Sequence, residues 1–129
     1  MRLKNALCIG TLAAAALLGA AAVAFAGDEG EPDQQCGVST PEMVDCLNGK
    51  TAFWDKRLNT AYAAALKEAE PKQRAPLRAA QRLWVQYRDA NCLYYSLSEG
   101  SIARIDAADC MYRMTKSRAL ELEGKPAGN

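Results

Sequence analysis

Three features of the sequence predict an all-α fold: a small antiparallel three-helix bundle stabilised by disulfides. Apolar residues recur at steps of three and four in three separate stretches. No stretch shows strand alternation flanked by hairpin turns. Four cysteines, an even number, lie within or beside those stretches. The chain has 129 residues, room for one domain. It contains no histidine, which excludes a His base, a Ser-His or Cys-His nucleophile pair and any His-containing metal site.

The first helix begins near Ser39-Thr40-Pro41-Glu42, where Thr40 can cap and Pro41 suits the first position. Met43, Leu47, Thr51, Trp54, Leu58, Tyr62 and Leu66 then fall on one helical face. Gly49 is a weak point, costing about 1 kcal/mol against alanine, where the helix can kink. The helix should stop near Ala69, because Pro71 disfavours a helical Glu70.

The second helix begins between Lys72 and Pro76. Its stripe is Leu77, Ala80, Trp84, Tyr87, Asn91 and Tyr94, with Leu83 beside it. Ser96, Ser98, Glu99, Gly100 and Ser101 interrupt the pattern as a loop. The third stripe is Ile105, Ala108, Tyr112, Thr115, Ala119 and Leu122, flanked by Ile102 and Met111. Short connections make neighbouring helices antiparallel.

The amino terminus has the form of an export signal. Arg2 and Lys4 precede an apolar run over residues 6–25, and Ala24-Phe25-Ala26 places small residues for cleavage before Gly27. A membrane anchor is the rival, since a span needs ~20 apolar residues. The run is alanine-rich, however, and acidic residues follow it instead of a basic stop-transfer flank. Cys8 lacks a lipidation context, because Leu7 precedes it and the apolar run follows it.

The expected organisation is therefore a signal over 1–26, an acidic flexible lead-in over 27–38, a helical domain over 39–123 and a flexible tail over 124–129. The mature chain would carry 14 basic and 15 acidic residues. That balance argues against a nucleic-acid partner, and cleavage leaves no stable membrane span. The expected location is periplasmic or secreted.

An exported chain this small is expected to hold disulfides. Cys36, Cys46, Cys92 and Cys110 permit three connectivities. An antiparallel hairpin would bring Cys92, near the end of helix two, beside Cys110, early in helix three. A chain folded back over the start of helix one could join Cys36 to Cys46. No Cys-x-x-Cys knuckle supports zinc instead. No metal or cofactor motif is present, nor a phosphate-cradling glycine loop or a nucleophile elbow. Asp106 and Asp109 lie one turn apart but fit a solvated face better than a catalytic pair. An enzyme is accordingly the weakest functional class.

The richest cluster is Ala80-Gln81-Arg82-Leu83-Trp84-Val85-Gln86-Tyr87-Arg88-Asp89-Ala90-Asn91-Cys92. Trp84 and Tyr87 share the expected core stripe, so they read as anchors, with Arg88 and Asp89 pairing to neighbouring helices. An aromatic-Arg binding hot spot is the functional alternative. A guanidinium from Arg82 or Arg88 could lock a helix pair through a carboxylate such as Asp55.

These residues, with Cys46, Asp55, Leu58-Asn59 and Tyr62 before them and Gly100-Ser101, Cys110, Thr115, Arg118 and Leu122 after them, resemble the LprI-like family of exported lysozyme-inhibitor domains. The resemblance covers residues 36–123. It implies an exported, mostly helical, cysteine-bridged domain whose partner is a lysozyme or another peptidoglycan hydrolase. Asp55, Leu58, Tyr62, Trp84, Tyr87, Arg88, Asp89 and Arg118 are its expected structural positions.

An inhibitor must occlude a cleft that carries two carboxylates and binds a long sugar chain. Tyr95, Ser96, Ser98, Glu99 and Ser101 are the candidate binding residues, on a loop whose aromatic, Ser and Gly content suits adaptable recognition. The alternative is a non-inhibitory periplasmic accessory module that holds cell-wall glycan or a protein partner.

Overall fold

The computed structural model describes Glu31 and residues 35–124. The expected signal over 1–26, most of the lead-in and all but the first residue of the expected tail lie outside the described residues. Three helices make up the fold: α1 (Thr40–Glu68), α2 (Pro71–Ser96) and α3 (Ile102–Leu122).

α1 is capped by Ser39, not by Thr40. The Ser39 hydroxyl accepts from the Glu42 amide at 3.4 Å, and the Glu42 carboxylate accepts from the Ser39 amide at 3.0 Å. This reciprocal pairing satisfies donors that the first helical turn leaves open. The helix runs on through Gly49 and stops as Pro71 requires, with Ala69 as its C-cap. α2 starts earlier than expected. Pro71 itself occupies the first turn, where its missing N–H costs nothing, and Pro76 is carried within the helix. The Arg74 Nε donates at 3.0 Å to the Ala69 carbonyl at the end of α1.

α3 is the centre of the arrangement: α1 and α2 both pack on it and hardly touch each other. The α1–α3 pairs run in the same order along both helices. Lys50 lies over Tyr112, Trp54 beneath Lys116, and Arg57 bonds Glu123. These two helices are therefore parallel. The α2–α3 pairs run in opposite order, with Cys92 joined to Cys110 and Gln81 bonded to Arg118.

Trp54, Leu58 and Ala119 form the buried core, and Phe53, Trp84, Tyr112, Leu120 and Leu122 pack around it. α3 can serve two neighbours because its buried positions are mostly slender: Ala103, Ala108, Cys110, Thr115 and Ala119. Arg118 is the exception. It is buried, with Nε donating to Gln81 at 3.1 Å and Nη1 pairing with Glu121 at 2.8 Å. Arg57 ties α1 to the end of α3 by two bonds to Glu123, at 2.6 and 2.9 Å, the fork geometry that suits guanidinium and carboxylate.

The disulfides join Cys36 to Cys46 and Cys92 to Cys110, with Cα–Cα distances of 5.4 and 5.5 Å. The second closes a loop 18 residues apart, which restricts the unfolded chain by about 3 kcal/mol.

α2 presents a different face to the core than its aromatic stripe suggests. Leu77, Gln81, Trp84, Val85, Arg88 and Asn91 are half-buried and Cys92 is buried, whereas Ala80, Leu83, Tyr87 and Tyr94 are exposed. Tyr87 is thus no core anchor. Ile102 is exposed too, although Met111 on the same expected flank is half-buried.

A sharp contrast in stability follows. Trp54→Ala should lower the unfolding free energy of the monomer by about 3–5 kcal/mol, while Tyr87→Ala should change it by less than about 0.5 kcal/mol. Urea titration of the oxidised variants measures both.

Candidate functional site

The loop between α2 and α3 is short and covalently clamped. Cys92 precedes it in the last two turns of α2, and Cys110 follows it on α3. Asn91 reinforces this clamp by pointing its amide at Cys110 Sγ, 3.4 Å away, and at Met114 Sδ, 3.3 Å away. Gly100 turns the chain with φ +85°, a left-handed conformation that costs a residue with a Cβ roughly 1–2 kcal/mol.

All five candidate binding residues are exposed. Tyr95 and Ser96 lie in the last turn of α2, Ser98 and Glu99 in the turn, and Ser101 at the start of α3. Tyr95 meets Tyr94 edge to face, with ring centroids 5.4 Å apart. The Ser96 hydroxyl is used locally, donating to the Leu93 carbonyl at 2.7 Å. The Ser98 and Ser101 hydroxyls make no hydrogen bond among the described residues, and Ser101 does not cap α3 through its side chain. The loop therefore offers two uncommitted hydroxyls, a carboxylate and two phenols on a fixed backbone.

The expected structural positions divide. Leu58 and Arg118 are buried, and Tyr62, Trp84 and Arg88 are half-buried. Asp55, Tyr87 and Asp89 are exposed. No Arg–Asp55 lock forms among the described residues. Asp55 accepts from its α1 neighbour Asn59 at 3.2 Å, and Arg88 instead pairs with adjacent Asp89 at 2.8 Å. The Arg88 guanidinium also lies 5.2 Å from the Trp84 ring centre, so its charge stacks on the aromatic face.

A second polar cluster was not anticipated. Two points of the expected flexible lead-in are fastened: Cys36 by its disulfide and Glu31 by a cage on α1 and α3. Lys116 Nζ donates to the Glu31 carboxylate at 2.7 Å, the Tyr112 hydroxyl donates to it as well, and Lys50 Nζ stands 3.7 Å away. Lys116 also lies 5.2 Å from the Trp54 ring centre.

Burial pushes the Glu31 carboxyl up. Hydrogen bonds from Lys116 and Tyr112, with the Lys116 charge beside it, outweigh this and hold it below the usual carboxylate range. The Glu31 hydrogen bond, opposed by burial, raises the Lys116 ammonium, and burial followed by Glu31 raises the Tyr112 phenol. Gly37 belongs to the same approach, because a Cβ there would stand 2.6 Å from the Glu42 carboxylate. Glu31 carries no periodicity that would single it out among the acidic residues of the lead-in.

Among the described residues, no group of three His, Cys, Asp or Glu side chains could hold a metal ion. No helix described is long and apolar enough to cross a membrane.

The structure thus sets a short, exposed loop, bridged by Cys92–Cys110, on a three-helix scaffold. The family model for the lysozyme inhibitor LprI matches residues 32–122. The chain belongs to the LprI family. No match was found among curated proteins or solved structures.

Glu31→Gln should reduce stability by about 1–2 kcal/mol at neutral pH through weakened charge-assisted bonds. Because the folded carboxyl titrates below its unfolded counterpart, this contribution is full above the unfolded pKa. It is lost as pH falls through the folded value. The two unfolding curves should therefore converge on the acid side of about pH 4.

Proposed function

We propose that this protein is an exported inhibitor that binds and blocks a peptidoglycan-cleaving muramidase, using the clamped loop from Tyr95 to Ser101. Membership of the LprI family carries this reading. The loop geometry supports it: tying both ends of a binding segment removes part of the ordering cost of association. Tyr95 supplies a rigid amphipathic contact, and the free hydroxyls of Ser98 and Ser101 can hydrogen-bond the carboxylates of a glycan-cleaving cleft. On this reading the protein works by occlusion, not catalysis. It acts outside the cytoplasm after cleavage at Ala26-Gly27.

The exposed Tyr94–Tyr95 pair favours one other reading. Phenol faces beside free hydroxyls also suit a non-inhibitory module that stacks on cell-wall sugar or holds a protein partner.

Lysis of cell walls by a panel of lysozymes, with and without the oxidised mature chain, separates the two. The expected result is dose-dependent inhibition with direct lysozyme binding, weakened at least about tenfold by Tyr95→Ala. Absence of inhibition by folded protein across the panel, with binding to peptidoglycan alone, would establish the accessory module instead. Intact mass of the exported protein should show a start at Gly27 and the loss of four thiol hydrogens; four free thiols would contradict oxidation.

A further inference from the structure

We propose that two copies of this chain associate through the outward face of α2, as an antiparallel helix pair related by a twofold axis near Ala90. The proposal does not rest on the muramidase reading, although its stripe ends at Leu97, within the loop that reading uses. Its starting point is the stripe Leu83, Tyr87, Ala90, Tyr94 and Leu97, which advances by steps of four, three, four and three. This stripe lies on the side of α2 opposite Gln81, Trp84, Arg88 and Cys92, which face α3. Its large members are among the most open apolar side chains described: Leu83 is 66% exposed, Tyr87 62%, Tyr94 72% and Leu97 75%.

The order of side chains identifies the occupant. Read outward from Ala90, the stripe is the same in both directions: tyrosine three or four residues away, leucine seven away. A twofold interface requires such a pattern, because residue i on one protomer meets residue j on its partner and the reverse. In an antiparallel pair centred on Ala90, Leu83 meets the second copy's Leu97, and Tyr87 meets its Tyr94. The small alanine at the crossing lets the helices approach closely.

Charge is complementary at each end. Arg82, just outside Leu83, lies at the end of the pair where the second copy's turn after Ser96 carries Glu99. Both are exposed, and neither has an ion-pair partner among the described residues. An opposite-charge pair at each end of the stripe thus reinforces the alignment that the apolar residues set.

The area is sufficient. Four such side chains expose on the order of 500 Å² of mostly apolar surface per copy, at the upper end of what a monomer leaves open in one patch. Two copies together reach about 1,000 Å², the lower bound for a specific interface, before Arg82, Gln86 and Glu99 are counted. A reversible dimer is the expected product. The clamped loops then lie at opposite ends of the helix pair.

Sedimentation velocity on the oxidised mature chain tests this. A dimer should form at micromolar concentration, and Tyr87→Glu with Tyr94→Glu should weaken it at least about tenfold without altering the helical spectrum. Arg82→Glu should weaken it, and adding Glu99→Arg should restore it. Ala90→Cys should cross-link to its own copy with a short bis-maleimide. A chain that stays monomeric at about 1 mM overturns the proposal, as does a dimer indifferent to the tyrosine substitutions. A dimer that fails to cross-link through position 90 overturns the twofold register.

Discussion

The slenderness of α3 is the constraint on which the rest of the fold depends. A helix that packs on two neighbours must bury two faces, and bulky residues on both would hold the neighbours too far apart for a shared core. Alanine, threonine and cysteine at the buried positions of α3 remove that obstacle. Trp54 and Leu58 reach Ala119 from α1, while Trp84 approaches the same cluster from α2. The large side chains thus belong to the outer helices and the small ones to the inner helix, a division that lets three helices share one small core.

Several consequences descend from that division. Because α3 takes both neighbours, α1 and α2 do not need each other, and the outward side of α2 is left without a helix to cover it. Polar ties then hold what limited apolar burial cannot. Arg57 fastens α1 to the carboxyl end of α3, Arg118 fastens α3 to α2, and Cys92–Cys110 closes the other end of the α2–α3 pair. Each tie lies at a place where the helices would otherwise splay.

The helices and their approximate limits were legible because spacing, proline and serine placement are local signals. The rotation of α2 was misread for a physical reason. The expected stripe shares Leu77, Trp84 and Asn91 with the observed inner face but is turned toward Tyr87 and Tyr94, because tyrosine looks more like a core residue than the Gln81 and Arg88 on the other flank. Hydrophobicity alone cannot choose between the two flanks. Cys92 can: a residue bonded to Cys110 must face α3, and stepping back from it by four, seven, eight and eleven gives Arg88, Val85, Trp84 and Gln81. A covalent contact fixes helix phase more securely than side-chain character does. The Glu31 cage was illegible for the opposite reason, since it joins a lead-in residue to groups more than eighty positions away that acquire meaning only once α1 and α3 are parallel.

The same distinction bears on how the family's motif relates to its activity. Leu58, Trp84, Cys92, Cys110, Thr115 and Arg118 build the scaffold from within, so a match at those positions carries the fold. The surfaces proposed to meet partners are ones that the scaffold leaves outside: the loop from Tyr95 to Ser101 and the open stripe of α2. Neither contributes to the Trp54–Leu58–Ala119 core, so both can change with little cost to stability. A scaffold held by small residues, two disulfides and a few charged ties therefore keeps its folding determinants apart from the surfaces proposed for recognition. Chains that share the inner positions can keep the fold while differing in what they bind.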